Sequence, residues 1–222
     1  VFPPMLFLLL GAVYDGEIDG VPAVDRLLVG IMGYGCANTA LAGLAIFLVM
    51  RRESGILKRL RATPLPPATY LTAVLVSTLI VFCLQIAVTV ALGMLLYDAD
   101  GPESWAALVP VLLLGAVAFA GMGIGLASLI RSDEGASAVV NLVVLPMAFL
   151  SGSFGSTSGY PEFLQTVADV LPLTYLIRLV EDAYVSGESL AHDPTAVAMV
   201  VAWGLAGVAV AVRRFGWQPR ER

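Results

Sequence analysis

Five stretches of this sequence, Leu27–Met50, Ala68–Tyr97, Trp105–Ile130, Ala136–Phe154 and Pro194–Val212, contain no Asp, Glu, Lys or Arg. A helix that crosses the roughly 30 Å hydrocarbon core of a bilayer needs about 20 apolar residues, and each of the five reaches or approaches that length. One water-soluble core cannot absorb them. Of the 222 residues 59% are hydrophobic and 13% charged, with mean hydropathy +0.89, whereas a soluble domain carries about 25% charged residues to clothe its surface. The composition argues against a soluble enzyme and predicts an all-α polytopic membrane protein. A sixth apolar run, Val1–Val13, is too short to cross the core at about 1.5 Å per residue. It lacks the basic leader and small-residue cleavage site of a signal peptide, and is read as a first span missing its N-terminal half. The expectation is one transmembrane domain over residues 1–222, with six spans.

The charges between the runs give an orientation. Arg51, Arg52, Lys58, Arg59, Arg61, Arg131, Arg213, Arg214, Arg220 and Arg222 all fall on one side of these spans, leaving only Arg26 and Arg178 on the other. Acidic residues lean the opposite way, from Asp15, Glu17, Asp19 and Asp25 to Glu181, Asp182, Glu188 and Asp193. Positive charge marks the cytoplasmic side, so both termini are expected there, in a bacterial inner (plasma) membrane.

The first basic loop, from Arg51 to Pro67, is more than a connector. Ile56, Leu57 and Leu60 recur at helical spacing, while Lys58, Arg59 and Arg61 take the other face. This pattern predicts a short amphipathic helix at the membrane surface within 51–63, ended by Pro64, Pro66 and Pro67. Ser132 or Asp133 is a candidate N-cap for the fifth span. Beyond Leu150 the chain is broken by Ser151, Gly152, Ser153 and Gly155 and punctuated by Pro161 and Pro172. Residues 160–185 are expected to form short helices that dip into the outer leaflet or lie on it. Such backbone persists at membrane depth only where protein or a water-filled cavity covers it.

The sequence lacks the chemistry of several function classes. The lone lysine, Lys58, is followed by Arg59, so there is no phosphate loop, which requires Gly-Lys followed by Ser or Thr. A single histidine, His192, rules out a multi-histidine metal site within one chain. Cys36 and Cys83 lie in apolar runs and are expected to be buried small hydrophobes. Gly30, Gly33, Gly35, Gly121, Gly123 and Gly125 sit inside spans, where they suit close helix packing. No ionisable residue sits mid-span, which argues against a pump built on a buried carboxylate. Asn38, Gln85 and Asn141 are the costliest polar groups to leave facing lipid. They are expected to bond between helices or to line a substrate path.

Three segments carry a resemblance. Arg52–Pro64, followed by Tyr70, is similar to the coupling-helix stretch of the permease subunits of ABC type-2 exporters, of the daunorubicin-resistance and polysaccharide-export kind. Pro146–Phe154 resembles that family's fifth-span exit, and Leu171–Leu176 its outer helical hairpin. Family members begin with a cytoplasmic amphipathic helix and a full first span, from which this sequence departs. The resemblance implies that two permeases pair and that each binds a separate cytoplasmic ATPase subunit, which would hold ATP and Mg; no cofactor is expected on this chain. Ile56, Leu57 and Leu60 would dock on the ATPase, with Glu53, Lys58, Arg59 and Arg61 making charged contacts. The cargo would be a hydrophobic or amphipathic compound such as a drug, lipid or glycan precursor, with Asn38, Thr39 and Asn141 as candidates along its path. The rival readings are a secondary transporter and a membrane assembly partner, both without an ATPase. No nucleic-acid partner is expected.

Overall fold

Helices stand at all six expected positions, but only some have the length to cross a bilayer. The computed structural model describes residues 2–14, 16–18, 21–62, 64, 66–157 and 159–214, with backbone alone at 17, 18, 21, 60, 61, 67 and 68. A short apolar helix, α1 (Phe2–Gly11), is followed by two-residue strands, β1 (Glu17–Ile18) and β2 (Val21–Pro22), which pair antiparallel. Next comes a continuous helical rod of 31 residues, Ala23–Glu53. It is α-helical over Ala23–Cys36 (α2) and Leu44–Glu53 (α3), with a π-helical segment, Ala37–Gly43, between them. The short α4 (Ile56–Arg61) leads to α5 (Pro67–Leu96), α6 (Trp105–Leu129), α7 (Ala136–Leu150), α8 (Glu162–Ala168), α9 (Pro172–Val185) and α10 (Pro194–Arg214).

The α2–α3 rod, α5, α6 and α10 are long and apolar enough to span. The pair α8 and α9, bent by 78°, makes a fifth candidate if counted as one broken span. Helices α1 and α7, at 10 and 15 residues, reach only about 15 and 22 Å. The fifth expected span therefore stops short of Phe154: the chain leaves the helix after Leu150 and turns at Gly152, whose φ is +77°. Neither Ser132 nor Asp133 caps α7. Its N-cap is Gly135, with no side-chain bond. Ser104 does cap α6, its hydroxyl accepting from the Ala107 N–H at 3.3 Å.

Small residues draw the helices together, as lipid-solvated packing requires. Helices α6 and α10 cross in parallel with their backbones touching. A Cβ placed on Gly121 would meet the Gly204 carbonyl at 2.9 Å, and one on Gly207 would meet Met122 Cα at 2.5 Å. Gly123 faces the Ala40 and Leu41 carbonyls of the π segment, and Gly33 and Gly115 receive Ile177 and Leu176 of α9. The packing expected of these span glycines is what the fold shows. Cys36 is buried as expected, but Cys83 is exposed on α5. A helix face in lipid needs no protein cover, so an apolar sequence context does not imply burial in this chain.

The α8–α9 bend sits partway along the bundle: Trp203, which bonds it, is nine residues from the start of α10, about 14 Å of helix, and beyond the bend Leu176 and Ile177 of α9 pack onto Gly115 and Gly33. Side chains satisfy the exposed carbonyls there: the Trp203 indole donates to Val170 O at 3.0 Å and the Thr174 hydroxyl to Ala168 O at 2.7 Å. From that depth α9 returns to the acidic end, where the Tyr184 hydroxyl bonds the Asp100 carbonyl. Arg26 and Arg178, the two exceptions to the charge asymmetry, are paired locally with Glu181 and Asp169.

Candidate functional site

At the basic end, α3 does not run smoothly into an amphipathic surface helix. Arg51, Arg52 and Glu53 belong to the last turn of α3, so the amphipathic segment expected over 51–63 is shorter than drawn. The break is at Ser54 and Gly55, where Gly55 adopts φ +73°, a left-handed conformation that costs glycine little. Helix α4 then starts at Ile56. Thr63, the end of the expected segment, lies outside the described residues.

Arg52 fixes this corner. Its side chain is 1% exposed, and its guanidinium donates to the carbonyls of Ala127 at 3.2 Å and Ile130 at 2.7 Å, and to the Glu53 carboxylate at 2.8 Å. The last carbonyls of α6 have no intrahelical donor and carry the negative end of the helix dipole. A planar guanidinium supplies several donors in one rigid fork. Arg52 thereby ties the basic end of the α2–α3 rod to that of α6, and α4 hangs directly from the tie. In the sequence Arg52 is indistinguishable from the surface cations beside it. A pair of arginines closing a long apolar helix is the only signal it leaves.

The coupling candidates separate into two groups. Leu57 is fully buried within the chain and presents no surface to a partner. A substitution there would disturb the seat of α4 as well as any docking. Ile56 is half-buried, Glu53 is engaged by Arg52, and Lys58 and Arg59 are exposed. The side chains of Leu60 and Arg61 lie outside the described residues. The outward face of α4 is thus cationic at Lys58 and Arg59.

The three candidates for a substrate path differ in exposure. Asn38 and Thr39 sit half-buried in the π segment, a helix form often found at functional sites, while Asn141 is exposed on α7 beside Leu142. The Thr39 hydroxyl donates to Gln85 Oε1 at 2.8 Å, across to α5. Gln85 is buried against Gly35, and its Nε2 has no partner among the described residues. Of the polar groups expected to bond between helices, Gln85 does so, with Thr39 as its partner.

Thr39 also marks one end of a cavity of about 670 Å³ between the α2–α3 rod and α5. The wedge has a simple cause. Helix α5 packs tightly through Phe82, Gln85, Ile86, Thr89 and Val90, but none of its described side chains from Thr69 to Val81 is buried. It leans away from α3 over that half. The cavity runs from Thr39 past Phe47 to Arg51 and Tyr70 at the basic end, with Ile56 of α4 at its margin.

A family profile described as ABC-2 type transporter matches residues 1–185. A Bacillus subtilis (strain 168) protein named as a transport permease, YvfS, is 27% identical over 146 residues, covering 65% of this chain and 59% of that protein. An Escherichia coli (strain K12) protein named as a multidrug ABC transporter permease, YbhR, is 23% identical over 146 residues, covering 66% of this chain and 40% of its own length. The chain thus matches little more than half of the first of these relatives and less than half of the second.

Proposed function

This chain belongs to the ABC-2 type transporter family, and on that premise we propose that it is the permease subunit of an ATP-driven exporter. It moves a hydrophobic or amphipathic compound out of the cytoplasm, and a separate ATPase subunit binds ATP and Mg and performs the hydrolysis. The observation that carries this reading is the family match across residues 1–185, joined to a short basic-faced helix, α4, hung between two span-length helices. The basic end is the cytoplasmic end, by the positive-inside rule. Both termini lie there, in a bacterial inner membrane. Helices α1 and α7 stand in the places of the first and fifth of six spans although both are shorter than the other four, and α8–α9 form a re-entrant hairpin entered from the outer face.

Lys58 and Arg59 make the charged contacts with the ATPase, while Leu57 holds α4 in place from behind. Arg52, with Glu53, passes any movement of α4 to both the α2–α3 rod and α6. A second permease completes the channel, and Asn141 on the exposed face of α7 contributes to that pairing rather than to a path within one subunit. The cargo class covers drugs, lipids and glycan precursors.

Charge reversal of the outward face tests the docking. The double variant Lys58→Glu, Arg59→Glu is expected to fold normally, because both side chains are exposed. It is expected to lose most of the ATPase subunit that co-purifies with the wild type and to lose nucleotide-driven transport with it. Full retention of the subunit, and of transport, would show that α4 is not the docking element.

A further inference from the structure

We propose that the wedge between α3 and the first half of α5 is a binding site for an anionic amphiphile, with its acidic head at Arg51 and Tyr70 and its apolar body along Leu44, Phe47 and Val81. At about 670 Å³ the cavity lies within the 300–1,000 Å³ range of small-molecule sites. Its walls are chiefly aliphatic and aromatic; Arg51 and Tyr70 lie at the basic end, Thr39 at the other, and the Ser77 and Thr78 hydroxyls on α5 between them, that of Thr78 spent on the Val74 carbonyl.

Arg51 is what sets the charge of the ligand. Arg52, its neighbour, engages each nitrogen of its guanidinium with Glu53, Ala127 O or Ile130 O. Arg51 has no carboxylate partner among the described residues; its guanidinium instead lies over the Phe47 ring, 4.8 Å from the centroid, at the cavity wall. The Tyr70 hydroxyl across the cavity is shielded from solvent and has no hydrogen-bond partner among the described residues. A buried donor left unmade is costly, and a carboxylate or phosphate held by Arg51 would accept from it. Val81 is 54% exposed on the rim, so the wedge opens sideways toward lipid, and a ligand dissolved in the leaflet can enter without crossing water.

The site is independent of the ATP-driven reading, because binding is measured with no nucleotide or ATPase present. The full-length protein is placed in phosphatidylcholine nanodiscs and titrated with oleate, with oleyl alcohol as the uncharged control. Saturable oleate binding is expected, with the alcohol weaker. Arg51→Gln is expected to weaken oleate about tenfold or more, the worth of one charge-assisted hydrogen bond, and Arg51→Lys is expected to recover most of the loss. Val81→Trp, which fills the wedge from an exposed position and leaves the charge alone, is expected to block binding. Adding phosphatidylglycerol to the disc identifies the natural source. Competition assigns the wedge to a bilayer phospholipid, and its absence assigns it to a single-chain cargo. Oleate uptake that never saturates, or that survives both Arg51→Gln and Val81→Trp unchanged, would overturn the proposal.

Discussion

Replacing Arg52 with methionine is expected to destabilise this protein more than any other single loss of charge. Methionine keeps the length and apolar stem of the side chain but leaves the carbonyls of Ala127 and Ile130 without their donor and Glu53 without its cation. Removing one partner of a buried ion pair costs about 3–5 kcal/mol, and the orphaned carbonyls belong to buried residues at a helix end, where no intrahelical donor replaces the bonds. The expected readout is a large fall in the thermal unfolding midpoint in detergent or lipid, with Arg52→Lys intermediate, since an ammonium cannot reproduce the fork. The same variant is expected to uncouple ATP hydrolysis from transport in whatever fraction folds. An unfolding midpoint equal to that of the wild type would mean that Arg52 is a bystander.

The second large effect is expected at the crossing of α6 and α10. A Cβ on Gly125 would lie 2.5 Å from the Gly207 carbonyl oxygen, a distance that real side chains do not occupy. Gly125→Ala must therefore push two backbones apart along their whole parallel contact. Overpacking of this kind costs typically about 1–3 kcal/mol, and here close approach is itself a source of helix association in lipid. Gly125→Ala is expected to lower the unfolding midpoint clearly, and Gly125→Leu to abolish monodisperse protein on size exclusion. Gly159→Ala, at a site with nothing within 4 Å, is the matched control and is expected to be silent. Equal behaviour of Gly125→Ala and the control would contradict the packing.

What could be read from residues alone divides along physical lines. Long uncharged runs give membrane helices because only their length and polarity matter, and the α2–α3 rod, α5, α6 and α10 were legible for that reason. Gly121 and Gly125 were legible as packing positions because a glycine inside a span has little other use. The direction a side chain faces was not legible, since in lipid both faces of a helix are apolar and periodicity fades. Cys83 and Asn141 face outward, and Leu57 faces inward, where the family resemblance implied that it docks on a partner. Arg52 was hidden because a cation at a helix end has the same sequence signature whether it meets lipid phosphate or another helix's carbonyls. The wedge was invisible because it arises from the lean of α5 relative to α3, which no single segment encodes.

The permease we propose draws its energy from another subunit. The most direct measurement is purification of the full-length protein from its native host in mild detergent, identification of co-purifying chains by mass spectrometry, and assay of ATP hydrolysis after return to lipid. A stoichiometric nucleotide-hydrolysing subunit that is retained by the wild type and lost from the Lys58→Glu, Arg59→Glu variant is the expected result. A pure, folded preparation that carries no such subunit and still transports its compound on an ion gradient alone would contradict it.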